Sequence, residues 1–237
     1  AAEGRGRPAK AFDAQLGVSA PSGLAEARVT GSRQLALHCD GLLFAKAALP
    51  PFAQATPRTV AFWVRVPADA SVADSDGMVV MEFGAAGGNV ELGWNRAPTQ
   101  GAFGALRTSV GRGVVTGTTP LRDGRWHHLA IVFGHSPRGP QKPQIKQYVD
   151  GRLDRVSARH AVKRVANNAP GQKDAAPNAG GTLWIGRNPK HATEPGFQGT
   201  IDELFLVDRA LSQKEIRLLM LQNRLPSPEV FAALPLN

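Results

Sequence analysis

The sequence predicts an all-β protein built as a two-sheet antiparallel sandwich, with one short helix near the carboxyl end. The first observation is the alternation along 59–66, where every second residue is apolar, as in a half-buried strand. The second is Asp150-Gly151 after a strand-like run, the strongest short-range signal for a hairpin turn. The third is the length of 237 residues with 42% apolar content, which suits a sandwich folded as one domain.

Strand-like segments follow one another from the thirties to about residue 207 without a linker, so we predict a single domain over 13–225. A flexible arm over 1–12 precedes it, because that stretch carries glycine, proline and charge without periodicity. A tail over 226–237 follows it. The predicted strands are 35–44, 59–66, 78–83, 89–94, 103–108, 113–116, 126–133, 144–149, 183–187 and 200–207.

Two connections and one helix complete the prediction. The loop 134–143 contains three prolines, which favours an end to the strands on both sides. The stretch 154–181 is long for a loop in a compact domain, and such loops are usually functional or disordered. Ser212 and Glu215 have the spacing of a capping box, which predicts a helix over 212–223 that seals one end of the sandwich.

Five short motifs occur in a fixed order along the chain: DGRWHHLAIVF, IKQYVDG, LWIGR, GTIDE and the terminal IDELFLVDRALSQKEI. Over roughly residues 30 to 222, this series resembles the laminin-G-like, concanavalin A-like jelly-roll domains of bacterial surface and secreted proteins. The resemblance implies a jelly-roll topology for the two sheets. It also implies an extracytoplasmic location, whether secreted, periplasmic or at the cell surface, and a place within a longer anchored protein.

The sequence contains no recognisable catalytic motif, so we predict that the protein is not an enzyme. Concanavalin-type glycosidases carry two carboxylates on one strand, and neither Glu82 nor Glu91 begins such a pattern. The adjacent His127 and His128 point to opposite faces of a strand and cannot jointly ligate one ion. The single cysteine, Cys39, excludes an internal disulfide and is expected to be a buried, unreactive thiol.

The resemblance also implies a structural calcium ion that pins an early strand to the last one. The matching carboxylates are Asp40, in a Cys-Asp-Gly turn, and Asp202, in the Ile-Asp-Glu segment. Calcium prefers six to eight oxygen ligands, so backbone carbonyls and waters would complete its shell. The alternative is that Asp40 stabilises its own turn and that Asp202 caps backbone amides.

The net charge of +9 and the pI of about 10.4 favour an anionic partner. The basic residues cluster in two consecutive loops, and the candidate ligand-binding residues there are Arg138, Lys142, Arg155, Arg159, Lys163 and Arg164. Trp94, at the end of a predicted hairpin, is a candidate for stacking on a sugar ring, with a core position as the alternative. The charge equally suits a solvated surface that only maintains solubility.

These observations favour a non-catalytic recognition module that binds carbohydrate, expected to be an acidic or sulfated glycan. A protein-interaction or sensory domain of a larger cell-envelope protein is the alternative, and a glycan-active enzyme is the third reading. No specific nucleic-acid module is matched, since the aromatic residues fall within core-type strands rather than on a basic platform. No apolar run approaches the roughly 18 residues that a membrane span requires.

Overall fold

The structure, a computed structural model, describes the greater part of the predicted domain. The described residues are 17–18, 27–29, 35–42, 44–48, 57–71, 79–84, 90–110, 113–136, 139–160, 182–186, 196–207 and 209–225. The predicted arm over 1–12 and the predicted tail over 226–237 lie outside these residues.

The fold is a sandwich of two antiparallel sheets, as predicted. Its strands are β1 Gly17–Val18, β2 Ala27–Val29, β3 Leu35–Asp40, β4 Ala45–Ala48, β5 Arg58–Arg65, β6 Val79–Gly84, β7 Val90–Trp94, β8 Ala105–Val110, β9 Gly113–Pro120, β10 Trp126–Ser136, β11 Gly139–Val149, β12 Arg152–Leu153, β13 Ala158–His160, β14 Thr182–Ile185 and β15 Gln198–Val207. One sheet has eight strands in the order β1-β4-β14-β6-β7-β8-β9-β13. The other has seven, in the order β12-β11-β10-β5-β15-β3-β2.

The inner faces of the two sheets form the main core. On β5 the predicted alternation holds, because Val60, Phe62 and Val64 are buried between the sheets. On the neighbouring β10, Leu129 and Ile131 face the same way and are at most 1% exposed. Burial on this scale is the main source of stability in a sandwich, at about 25 cal/mol per Å² of apolar surface removed from water.

The helix α1, Gln213–Gln222, begins with the predicted capping box. The Ser212 hydroxyl accepts from the backbone of Glu215, and the Glu215 side chain accepts from the Ser212 backbone. Its buried residues Ile216 and Leu219 pack in a second cluster with residues of β5, β10, β11 and β15. The helix therefore covers the outer face of the seven-stranded sheet, whereas the sequence had suggested that it seals an end of the sandwich.

Most predicted strand boundaries differ from the structure by a few residues, and the differences at 35–44 and 134–143 have clear physical reasons. The predicted strand 35–44 ends at Asp40, because Gly41 has a φ of +93°, a left-handed conformation, and the next strand, β4, begins only at Ala45. The predicted loop 134–143 instead continues the β10–β11 ladder as far as the pair Ser136–Gly139, across a bulge. Prolines are tolerated there because β12 pairs only with the last residues of β11, so the rest of β11 is an edge strand.

The hairpin turn predicted at Asp150-Gly151 is confirmed. Both residues have positive φ, 51° and 71°, which is the geometry of a two-residue turn between β11 and β12. The chain then crosses to the other sheet. Asp154 accepts hydrogen bonds from the backbone amides and hydroxyls of Thr118 and Thr119, with distances of 2.9 to 3.4 Å. The long loop predicted over 154–181 thus begins as a docked segment that includes the edge strand β13.

Candidate functional site

The outer face of the eight-stranded sheet carries a row of polar side chains. Strand register sets Trp184, Glu82, Glu91 and Ser109 side by side on β14, β6, β7 and β8. Their sequence neighbours, such as Leu183 and Leu92, point inward and are fully buried. With Arg107 and Thr116 in the adjoining row, these residues form a surface that we call the polar face: Glu82, Glu91, Arg107, Ser109, Thr116 and Trp184.

Glu82 and Glu91 form a carboxylate pair across two strands. They are direct partners in the β6–β7 ladder, and such partners have Cβ atoms about 4.5–5.5 Å apart. Glu82 is 2% exposed, whereas Glu91 is half-buried, so the pair is reached from the Glu91 side. The search for two carboxylates on one strand missed this pair. Symmetric pairing of the predicted strands 78–83 and 89–94 would set Glu82 opposite Val90, so the pair depends on a register one residue away from the predicted one.

Arg107 supplies a cation beside this pair. Burial lowers the pKa of its guanidinium, the negative charge of Glu91 opposes that shift, and the positive charge of Arg96 adds to it. Its register partner on β7 is Gly93, so no side chain stands opposite Arg107 on that strand. The guanidinium is therefore partly desolvated next to an open position of the sheet.

Nε of Arg107 and the hydroxyls of Ser109 and Thr116 are buried polar atoms of the polar face that make no hydrogen bond within the described part of the chain. Ser109 is 6% exposed and Thr116 is fully buried, so bulk water does not satisfy these groups. Buried polar groups in folded proteins nearly always have a partner, and such exceptions are concentrated where ligands or ordered water bind.

An aromatic side lies at the β14 end of the polar face. The rings of Trp184 and Phe44 have centroids 5.4 Å apart and are tilted by 31°. Both side chains are half-buried, so each keeps part of its ring accessible. An apolar ring next to carboxylates, hydroxyls and a guanidinium suits a ligand that has both an apolar face and many hydrogen-bonding groups.

Trp94 is a core residue, which corrects its selection as a candidate for ligand stacking. It is 0% exposed, it faces inward on β7, and its ring meets the edge of the Phe103 ring at a centroid distance of 6.0 Å. The guanidinium of Arg122 lies 5.9 Å from the Trp94 ring centre and closes the remaining side. Of the two alternatives drawn from the sequence, the core position is confirmed.

Two of the six candidate basic residues are described with their side chains. Arg155 and Arg159 are both exposed, and Arg159 lies on β13, the edge strand next to β9. Arg138, Lys163 and Arg164 lie outside the described residues, and Lys142 is described only as part of the β11 backbone. The segment 154–160 runs back along β9, from a hydrogen bond with Thr118 to a pairing with Val114. A surface shared by the two basic loops would require the second loop to return in this way. Whether these residues bind a ligand stays a prediction.

Asp40 and Asp202 are not brought together. Asp40 pairs with Gln198, four residues before Asp202 on β15, which places the two carboxylates roughly 13 Å apart along the strand. The Asp40 carboxylate accepts from Leu42 N at 2.8 Å, and that of Asp202 accepts from Glu203 N at 2.9 Å. Among the described residues, no group of three or more His, Cys, Asp or Glu could hold a metal ion. These two residues therefore do not fit one shared calcium ion.

The two adjacent histidines have separate structural environments, as the sequence predicted. Nδ1 of His127 lies 2.9 Å from Oδ2 of Asp150, and its Nε2 lies 3.2 Å from Oδ1 of Asp123. The hydrogen bond with Asp150 is the main cause that raises the pKa of His127. His128 points to the other face against the ring edge of Trp63, and burial lowers its pKa to about 4.

Cys39 is likewise buried, as predicted, and burial raises the pKa of its thiol to about 12. A thiol with such a pKa is almost entirely protonated at neutral pH and therefore a poor nucleophile.

Comparisons with known proteins agree with the observed topology. A family model, Laminin_G_3, described as the concanavalin A-like lectin/glucanases superfamily, matches residues 42–217. The chain is similar to domain 4 of AbnA, a GH43 extracellular arabinanase from Geobacillus stearothermophilus, solved in complex with arabinotriose. The identity is 17% and the TM-score 0.52, over 91% of this chain and 98% of that chain.

A second similar structure is the receptor binding domain of botulinum neurotoxin D, at 10% identity and a TM-score of 0.50. The likeness covers 86% of this chain and 47% of that chain, so this protein spans about half of its length. No curated protein matches the sequence. At such identities, the similar structures show the fold and leave the ligand to be argued from the residues.

Proposed function

Because the chain belongs to the Laminin_G_3 family of the concanavalin A-like lectin/glucanases superfamily, we propose that it is a non-catalytic domain that binds carbohydrate on the polar face. The observation that carries the proposal is the set of buried, unsatisfied polar atoms on Arg107, Ser109 and Thr116 beside a carboxylate pair and an aromatic ring. Sugar hydroxyls both donate and accept hydrogen bonds, so they match a face that offers donors and acceptors together.

The proposal includes an anionic group on the glycan, recognised at the β13 edge of the same sheet. The exposed Arg159 lies on this edge strand, and because its register partner is Val115 of the core, its side chain begins on the face opposite to Thr116 of the polar face. Since β13 is the last strand in the order of its sheet, an acidic branch of the glycan would meet Arg159 around this edge rather than on the polar face itself. This arrangement supports an acidic or sulfated glycan as the ligand of a protein with net charge +9.

We place this function outside the cytoplasm, in a secreted, periplasmic or cell-surface protein. The argument is the family resemblance together with a ligand class that is abundant on cell envelopes. The similar arabinanase domain comes from an enzyme described as extracellular. Separately, none of the described helices is long and apolar enough to cross a membrane.

Isothermal titration calorimetry with arabinotriose and a sulfated glycan array tests the proposal. Trp184→Ala should weaken glycan binding roughly threefold to tenfold, which is the usual loss for one aromatic contact. Arg107→Gln should weaken it by at least as much, because a buried charged donor is lost. Arg152→Gln is the control, since Arg152 is exposed on β12 in the other sheet. If neither Trp184→Ala nor Arg107→Gln changed glycan binding, the polar face would be excluded as the binding site.

Glycoside hydrolysis is the second candidate function, and the Glu82–Glu91 pair favours it. Retaining glycosidases use two carboxyl groups about 5–5.5 Å apart, which is close to the spacing of direct cross-strand partners. The 2% exposure of Glu82 argues against it, because a catalytic carboxylate must reach the scissile bond. Release of reducing ends that is abolished by both Glu82→Gln and Glu91→Gln would establish this activity. Binding without turnover would favour the recognition domain.

A further inference from the structure

A second surface lies on the outer face of the seven-stranded sheet, in the part that α1 leaves uncovered. Strand register sets Trp126, Arg65, Thr200 and His38 side by side on β10, β5, β15 and β3. The covered part ends one row away, where Trp63 Nε1 donates to Asn223 Oδ1 at the C-terminal cap of the helix. We call this row the Trp126 platform: Trp126, Arg65, Thr200 and His38.

The side chains of the Trp126 platform are accessible. Trp126 is 37% exposed, which is high for a tryptophan on a sheet, and Arg65 and His38 are exposed as well. His38 Nδ1 lies 3.5 Å from the hydroxyl of Thr200, so the polar end of the row is already connected. The platform therefore has an apolar ring at one end, a guanidinium next to it and two hydrogen-bonding groups beyond.

The orientation of the Arg65 side chain is fixed by a hydrogen bond to the turn before β10. Its Nε donates to Gly124 O at 2.8 Å, and Gly124 N donates to Val66 O at 2.9 Å. The Nε bond directs the two terminal nitrogens away from the turn, and among the described residues none forms an ion pair with Arg65. A guanidinium held through Nε presents a planar fork that matches a carboxylate.

The turn itself is held by a chain of hydrogen bonds that begins at the neighbouring hairpin. Asp150 binds His127, His127 binds Asp123, and the same Asp123 oxygen accepts from Arg125 N at 2.9 Å. The DGRWHH motif thus does more than begin a strand, because it places Gly124 under Arg65 and Trp126 beside it. Groups that are oriented before binding lose less entropy when a ligand binds.

The charged side chains around the Trp126 platform bear on the kind of ligand that it can bind. Two exposed cations, Arg65 and Arg125, stand here, and the Arg125 side chain is 83% exposed. Three carboxylates lie near these cations. Asp123 is engaged by His127 and lies 3.9 Å from Arg125. Asp202 and Asp40 each lie one row from the platform on the same face, and their carboxylates accept from the backbone amides of Glu203 and Leu42. We propose that the Trp126 platform is a second binding site, which takes a sugar that carries a carboxylate. The ring of that sugar packs on Trp126, its carboxylate accepts from the Arg65 fork, and its hydroxyls bond with Thr200 and His38.

Calorimetry with a trimer of galacturonic acid and the matching trimer of galactose tests the proposal, since the two probes differ in the carboxylate. The full chain should bind the acidic trimer at least about 10-fold more tightly, as expected for a charge-assisted bidentate contact. Arg65→Gln should abolish that preference, and Trp126→Ala should weaken binding of both trimers. Arg65→Lys should also weaken binding of the acidic trimer, because the charge remains but the fork is lost.

Two controls separate this site from the polar face and from effects on folding. Arg152→Gln removes an exposed cation elsewhere and should change the affinity less than twofold. Trp184→Ala acts on the polar face and should leave intact the part of acidic-trimer binding that Arg65→Gln removes, so failure of the polar face and failure of the platform are distinguishable. Each variant is compared at an unchanged melting temperature. The proposal would be overturned if the wild type bound both trimers with equal affinity. It would also be overturned if Arg65→Gln and Trp126→Ala bound the acidic trimer with affinities within twofold of the wild type.

Discussion

At the scale of single residues, His128 is an imidazole that burial keeps neutral. Its pKa of about 4 in the folded chain compares with 6.5 for the exposed group. Between these values the unfolded chain binds the additional proton, so the free energy of unfolding falls as the pH decreases from about 6.5 to about 4. His127 acts in the opposite sense. Its raised pKa contributes stability below pH 6.5 that is lost as the pH rises through the raised value.

His128→Phe should therefore remove much of the acid sensitivity while keeping an aromatic ring against Trp63. The expected loss in wild-type stability between pH 7 and pH 4.5 that comes from this one group is about 2–3 kcal/mol. Urea denaturation at the two pH values measures it. A His128→Phe variant with the same pH dependence as the wild type would contradict the assignment.

At the scale of elements, the two glycine turns flanking β10 and β11 offer a matched comparison. Gly151 has φ of +71° and Gly124 has φ of +76°, so alanine at either position meets a similar backbone strain of about 1 kcal/mol. A Cβ on Gly151 would lie 2.8 Å from Cγ of Arg217 on α1, whereas a Cβ on Gly124 would meet nothing within 4 Å. Gly151→Ala should therefore lower the free energy of unfolding more than Gly124→Ala in chemical denaturation. Equal losses in the free energy of unfolding would mean that α1 admits the added methyl group without a loss of stability.

The start of α1 gives a second prediction at this scale. Ser212→Ala removes the hydroxyl that accepts from Glu215 N and should reduce stability by about 1 kcal/mol. Ser212→Gly should cost only a few tenths of a kcal/mol, because glycine is itself tolerated at this cap position. Thermal denaturation of both variants measures the difference. A larger loss for glycine than for alanine would show that the cap hydrogen bond is not what stabilises this end.

At the scale of the whole molecule, β10 is the strand on which the seven-stranded sheet depends. It pairs with β5 along eight residues and with β11 along a ladder of the same length, and Ile131 at its centre is 0% exposed. Ile131→Asp should abolish folding, because an unpaired carboxylate in this core costs several kcal/mol. Ile131→Val is the control and should cost about 0.5–1.5 kcal/mol. Circular dichroism distinguishes the outcomes, and a folded Ile131→Asp protein would contradict the central position of this strand.

Calcium is the second question at this scale, because the ion was expected to join two strands. A shared ion predicts that a chelator lowers the melting temperature of the wild type but not of Asp202→Asn. The separation of Asp40 and Asp202 along β15 predicts instead that EDTA acts on both proteins alike, within about a degree. Differential scanning fluorimetry with EDTA and added calcium measures both. A chelator effect that Asp202→Asn eliminates would restore the shared site.

The sequence by itself determined the local features, because their signals act over a few residues. Alternation placed β5 and β10, the Asp150-Gly151 pair placed its turn, and the Ser212–Glu215 spacing placed α1. Each of these depends on side chains at most a few positions apart, whose geometry hardly changes with the rest of the fold.

Tertiary structure alone decided which side of each strand faces the core and which strands are neighbours. Alternation along β7 separates Trp94 from Glu91 but does not say which of them points inward, and packing against the other sheet placed the tryptophan inside. The same packing set Trp184 and Glu82 side by side, although about a hundred residues separate them in the chain. Both candidate surfaces consist of such cross-strand neighbours. Their partners are chosen by the burial of the opposite faces, which is a property of the assembled sandwich and not of any single segment.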